Sequence, residues 1–252
     1  MLNNPLLTKN FLRKFGFRYD NLINWKKILK GEDREFYLNK KNKKDKKKIL
    51  IATSTGGHLA CAHFDSVLAF ALTLEDWDVE ILLCDKSLSA CQQSTTHLIK
   101  EEEFIEDGPK KLCNACFDSG RMIFDGLDLK VLKFSDFLNQ EIENKIKFDL
   151  KDYNQIKFED LKVDKFVKEH AKAGALRFYA VGDLNNEKHH KEVLYNYLFS
   201  ALKTKYSFEN IIKKQNYHSV ILNHGVYVPQ GIINNVAKKN ELNVVCYSPA
   251  YK

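Results

Sequence analysis

Residues 47–60 read KKILIATSTGGHLA. An apolar run, Ile49 to Ala52, feeds a small polar turn, Thr53 to Gly57, and His58 then opens a helix-like segment. The pattern predicts a buried strand delivering a glycine-rich turn to a helix N-terminus. Unpaired backbone N–H groups and the helix dipole at such a point favour an anion or a sugar phosphate. An imidazole at the mouth of the turn titrates near neutral pH.

Outward from this stretch, strand and helix signals alternate. Leu59 to Leu74 reads as a helix, with apolar residues at Leu59, Val67, Leu68, Phe70, Ala71 and Leu74. Strands are expected over Asp78 to Cys84, Leu129 to Phe134, Tyr217 to Leu222 and Asn243 to Tyr247. Helical patterns cover Phe117 to Phe124, Val163 to Tyr179, Glu187 to Lys214 and, opened by a proline, Pro229 to Lys239. Residues 135–160 are polar and poorly periodic. Strands separated by helical crossovers imply an α/β fold, a Rossmann-like parallel sheet flanked by helices on both faces. Ligands of such sheets bind beyond the carboxyl ends of the strands. Three segments should therefore converge there: Ser54 to His58, Cys84 with Asp85, and Asn223 to Gly225.

Each carries its own chemistry. Thr55, Gly56 and Gly57 are candidate ligand contacts, and His58 a candidate general base for a hydroxyl nucleophile. The turn has neither the G-x-G-x-x-G spacing of a dinucleotide site nor the G-x-x-x-x-G-K-[ST] of a P-loop, and two glycines also serve simply to turn a chain tightly. Asn223, His224, Gly225 and Tyr227 are candidates for the opposite wall, and His63, one turn into the helix, reads as structural. Cys84, Cys91, Cys113 and Cys116 fall as C-x6-C-x21-C-x2-C. Four thiolates can close a tetrahedral shell around zinc or an iron–sulfur cluster, and the alternative is four buried free thiols. Cys61 and Cys246 fit core patterns.

With 44% apolar and 29% charged residues, the 252-residue chain reads as globular. It contains no bilayer-length apolar run and no signal-peptide pattern. Six cysteines without such a signal point to a reducing, cytoplasmic setting. The net charge of +7 is uneven: residues 1–48 hold 15 Lys or Arg against 5 Asp or Glu, leaving 25 against 28 in the remainder. Residues 1–47 are therefore expected to form a basic aromatic extension, and 39–48 (NKKNKKDKKK) an unpacked tether. Phe11, Phe15, Phe17 and Tyr19, interleaved with Arg13, Lys14 and Arg18, would suit the inner face of a membrane, would equally cover part of the domain as a packed appendage, or would bind nucleic acid non-specifically. No nucleic-acid-reading module is present to raise that alternative.

The run KKILIATSTGGHLACAHFDSVLAFAL at 47–72, the DVEILLCD run at 78–85 and the ending ILNHGVYVPQGIINNVAKKNELNVVCYSPAYK resemble the N-terminal, acceptor-binding half of a GT-B glycosyltransferase. Kinship with capsule and other surface-polysaccharide enzymes is implied, and the S-T-G-G-H turn is similar to that of lipid-linked N-acetylglucosaminyltransferases. The resemblance implies transfer from a nucleotide-sugar donor to a sugar or lipid-linked acceptor. His58 would be the base, and Gly56, Gly57, His224 and Gly225 would stand near the acceptor. It also implies a second, donor-binding domain, absent after Lys252, so that either the chain is a fragment or a separate donor-binding subunit is expected. Two further readings stand beside it: a nucleotide-dependent oxidoreductase with Asp85 on a ribose, and a non-catalytic subunit that recruits a partner to the membrane.

Overall fold

β1 (Lys48–Ser54) lies at the centre of a five-stranded sheet, and every residue in it after Lys48 is buried. Burial on both faces explains its uninterrupted apolar run, where a half-exposed strand would alternate. The computed structural model describes residues 22–248. Two short helices, α1 (Trp25–Ile28) and α2 (Gly31–Lys41), precede β1. α3 (Leu59–Leu74) leads to β2 (Asp78–Leu83), and α4 (Glu101–Asp107) and α5 (Lys110–Asp125) lead to β3 (Lys130–Lys133). α6 (Gln140–Asp149), α7 (Lys165–Tyr179) and α8 (His190–Lys214) lead to β4 (Tyr217–Asn223), which α9 (Gln230–Lys239) joins to β5 (Asn243–Tyr247). All strands run parallel in the order β3-β2-β1-β4-β5. The expected α/β sheet with a helical layer on each face is what the chain forms.

Alternate residues of each strand feed two cores. Leu50, Ala52, Leu82, Val220 and Leu222 join Val167, Phe178, Leu198, Phe208 and Ile232 from α7, α8 and α9. Ile49, Ile51, Ile81, Leu83 and Ile221 join Trp25, Tyr37, Ala69 and Phe124 on the other face.

The described part of the N-terminal segment packs, and it is the tether that departs from expectation. Trp25 and Tyr37 stack on Phe70 with ring centroids 5.0 and 5.4 Å away, and the Tyr37 hydroxyl donates to the Leu127 carbonyl at 2.8 Å. The basic run is anchored as well. Lys40 and Lys43 reach Asp76 at 3.4 and 2.9 Å, and Lys46 Nζ donates to the Lys40 and Trp77 carbonyls. Phe11, Phe15, Phe17 and Tyr19, with their interleaved cations, lie outside the described residues. Among the described residues, no helix is long and apolar enough to cross a membrane. Within the polar stretch 135–160, α6 forms because the Asn139 side chain caps it through the Ile142 N–H at 2.9 Å, and Ile146 is buried.

The β1 turn meets α5 backbone to backbone. A Cβ on Gly56 would lie 2.6 Å from both the Cys116 carbonyl oxygen and Gly120 Cα, and one on Gly120 would lie 2.8 Å from Gly56 Cα. Neither contact is with a side chain that can swing away. Gly120→Ala should therefore cost about 1–3 kcal/mol through overpacking. Gly182→Ala, where a new Cβ meets nothing within 4 Å, should stay within about 1 kcal/mol of wild type. Urea midpoints at equal m-value check both.

Candidate functional site

Strand order sets the location. From β1 the chain winds outward to β2 and β3, then returns beside β1 as β4 and leaves toward β5. The turns after β1 and β4 therefore head for opposite faces, and in such sheets this reversal at the carboxyl edge is where a ligand crevice forms.

The β1 turn is stitched down before it reaches that crevice. Ser54 takes a positive φ of 58°, and its carbonyl accepts from the Cys84 N–H at 2.7 Å. Thr55 is buried, its hydroxyl accepting from Gln92 Nε2 at 2.7 Å and Gln230 Nε2 at 3.4 Å. Gln92 also donates its backbone N–H to the Val228 carbonyl at 3.0 Å, tying this turn to the one after β4. The Gly57 N–H, expected to await a phosphate, donates to Cys116 Sγ at 3.1 Å. Thr55, Gly56 and Gly57 therefore hold the chain in place. His58 is the group the turn presents, half-buried at the N-cap of α3.

The β4 turn makes the facing wall. Asn223 is buried, with its Oδ1 unpartnered. The His224 N–H donates to the Tyr247 carbonyl at 2.7 Å, and its Nδ1 accepts the Val226 N–H at 3.3 Å, so the neutral ring carries its proton on Nε2. Gly225 has a φ of +64°, where a Cβ would come within 3.0 Å of the Asn234 amide. Tyr227 stands edge-on to His224 at 5.5 Å, and the Arg177 guanidinium lies over its ring at 5.3 Å.

Arg177, in the last turn of α7, is the residue that sequence reasoning missed. Its Nη1 is buried without a partner, and so is Nδ1 of His58. No carboxylate stands within ion-pair distance of Arg177 among the described residues. Burial first, and then the Arg177 charge, hold His58 below the ordinary histidine range. His224 is lowered by burial, then by His58, then by Arg177. Three groups able to carry positive charge thus share one crevice, with two neutral imidazoles able to accept protons. A helical period from His170 to Arg177, two turns apart on one face, was the available signal.

The four cysteines of the proposed metal set gather beside the β1 turn. Burial raises every one of their thiol pKa values, Cys84 to about 12, and Cys91 adds to the shifts of the other three. They are free thiols, and among the described residues no group of three His, Cys, Asp or Glu side chains is set to hold a metal ion. Asp85, the candidate ribose contact, instead receives the Ser135 backbone N–H at 3.3 Å and its hydroxyl.

No family model and no curated protein matches the chain. Solved structures do. A cyclodipeptide synthase from Staphylococcus haemolyticus is similar over 85% of this chain and 92% of its own, at 13% identity and a TM-score of 0.41. AlbC, a cyclodipeptide synthase from Streptomyces noursei, is similar over 81% and 96%, at 11% identity and a TM-score of 0.38. Both are cyclodipeptide synthases and neither is half of a GT-B enzyme. On that finding the glycosyltransferase resemblance is withdrawn, with its sugar donor, acceptor and capsule role. Likeness at this level brings no activity to the present chain.

Behind the crevice lies a buried carboxylate that the sequence pattern had hidden inside α3. Asp65 is fully buried, and its Oδ1 accepts from the Tyr247 hydroxyl at 2.7 Å. Neither its Oδ2 nor the neighbouring Thr53 hydroxyl has a partner of full hydrogen-bond geometry, though the Thr53 hydroxyl lies close enough to act on the carboxylate. Burial raises the Asp65 pKa to about 6, against a smaller lowering by the hydrogen bonds. A raised acid favours the folded state when protonated, so this stability is full below about pH 4 and is lost as pH rises through 6. Asp65→Asn should therefore gain on the order of 2–3 kcal/mol over wild type at pH 8 and almost nothing at pH 4. Denaturant unfolding at the two pH values measures the difference.

Proposed function

We propose that the crevice between the β1 and β4 turns binds a small anionic ligand, with a phosphoryl or carboxylate group on Arg177 and with His58 and His224 beside it. The observation that carries this is the pair of buried, unpartnered nitrogens, Arg177 Nη1 and His58 Nδ1, at the topological reversal of the sheet. A desolvated cation without a partner is costly, and a folded protein retains one where a ligand supplies the missing charge. The guanidinium fork matches the oxygen geometry of both anion classes. A neutral His58 next to it would accept a proton from a ligand hydroxyl near neutral pH.

Arg177→Met separates binding from folding. Arg177 is half-buried, so its loss should leave the stability of the ligand-free protein within about 1 kcal/mol of wild type or above it. It should also weaken binding of pyrophosphate or citrate at least tenfold, a loss of about 1.4 kcal/mol. Titration calorimetry with both probes distinguishes phosphoryl from carboxylate preference. A variant that is less stable and binds both probes as wild type does would overturn the assignment.

A further inference from the structure

The loop that forms one wall of this crevice is held by a histidine whose hydrogen bonds exist only in its neutral form. His170 lies on α7, two turns before Arg177 and on the same helical face. Its Nδ1 is 2.5 Å from the Val226 carbonyl, which can only accept, so Nδ1 carries the proton. Its Nε2 is 2.8 Å from Asn235 Nδ2 on α9. That amide nitrogen also donates to the Gly231 carbonyl at 3.0 Å, which fixes which way the amide points. Nε2 must therefore accept, and a proton added there would meet an N–H. The ring fits because residue 231 is glycine, where a Cβ would stand 2.5 Å from His170 Nδ1.

We infer that neutral His170 is a positioning residue that latches the 224–229 loop in its ligand-ready place, and that acidification releases the latch. The inference rests on the anion-site reading above. α7 thus supplies both the charge, Arg177, and the clasp, His170, that places Tyr227 and His224 opposite it. Glu169, its neighbour on α7, is the charged side chain whose field reaches His170; Asn235 and the Val226 carbonyl, facing it from α9 and the loop, are uncharged. Burial outweighs the carbonyl and Glu169, and keeps the ring below the ordinary histidine range. The latch is therefore closed at neutral pH and opens only on the acid side.

The two kinds of histidine pull affinity in opposite directions. Protonating His58 and His224 strengthens anion binding, whereas protonating His170 weakens it. Sulfate, whose charge is constant between about pH 5 and 8, is the probe, with affinity read from amide NMR shifts at pH values where far-UV circular dichroism is native. Wild type should show both effects on the acid side, a gain from His58 and His224 offset by a decline from His170. His170→Asn keeps a donor for Val226 but has no ring nitrogen to titrate, and should lose the acid-side decline. His170→Phe keeps the volume without the bonds, and should bind roughly tenfold more weakly at neutral pH, the gap closing as acid opens the wild-type latch. Persistence of the decline in His170→Asn, or wild-type affinity in His170→Phe, overturns the latch. Absence of sulfate binding in wild type defeats the anion site instead. The ring is then judged alone: nitrogen-15 shifts should show a neutral Nδ1–H tautomer, and a ring charged at pH 7 sinks the proposal.

Discussion

The parallel pairing of β1 with β4 is the constraint on which the crevice depends. Leu50 and Ile51 stand opposite Val220 and Ile221, so two segments far apart in the chain end at the same edge of the sheet. Both strands are buried on both faces. A slip of one residue would exchange the side chains between the two cores, and the resulting misfit holds the register. His58 and His224 become neighbours as a consequence, without any direct bond between them.

Beyond the paired strands, a polar knot joins the turns. The Thr55 hydroxyl, the two glutamine amides and the Val228 carbonyl bind the β1 turn, the segment after β2 and the β4 turn to one another. Buried amides are expensive unless paired, and here the pairing joins three loops that the sheet alone would leave independent. The diglycine serves the same end from the other side, letting α5 approach to backbone distance. Rigidity at the base of the crevice lowers the ordering cost of any ligand that enters above it.

The strands and the long helices were legible in the sequence because their apolar content is high or their period clear. α3 and β5 begin and end where the pattern places them. α6 was not legible, since a polar ten-residue helix with one buried residue, Ile146, has almost no period to detect. The packing of the basic N-terminal segment was hidden for a different reason. Its lysines engage backbone carbonyls and Asp76, and such contacts leave no trace in composition. Glycine and histidine after a strand drew attention to the edge where the β1 and β4 turns meet. The diglycine was expected to face ligand, but its N–H and Cα are spent on Cys116 and Gly120. Arg177 and His170 escaped because each sits in an ordinary helix and gains meaning only from the loop opposite.

A charge balance over the crevice limits what can occupy it. The carboxylates in this part of the molecule are already engaged or disfavoured as anions. Asp65 is held toward its protonated form and bonded to Tyr247, Asp85 is bound by Ser135, and Glu101 accepts from Tyr179. None of them neutralises Arg177. The two imidazoles answer its field by staying uncharged, which relieves repulsion but supplies no negative charge. Among the described residues the guanidinium, half-buried and with Nη1 shielded, is left with the π face of Tyr227 as its compensation, an interaction worth about 0.5–2 kcal/mol. The imbalance is removed most directly by an anion from solution, and the same anion would draw both histidines toward their charged forms. Ligand charge and histidine protonation are therefore coupled in this crevice, and neutral His170 is the element that keeps its walls in place while that coupling operates.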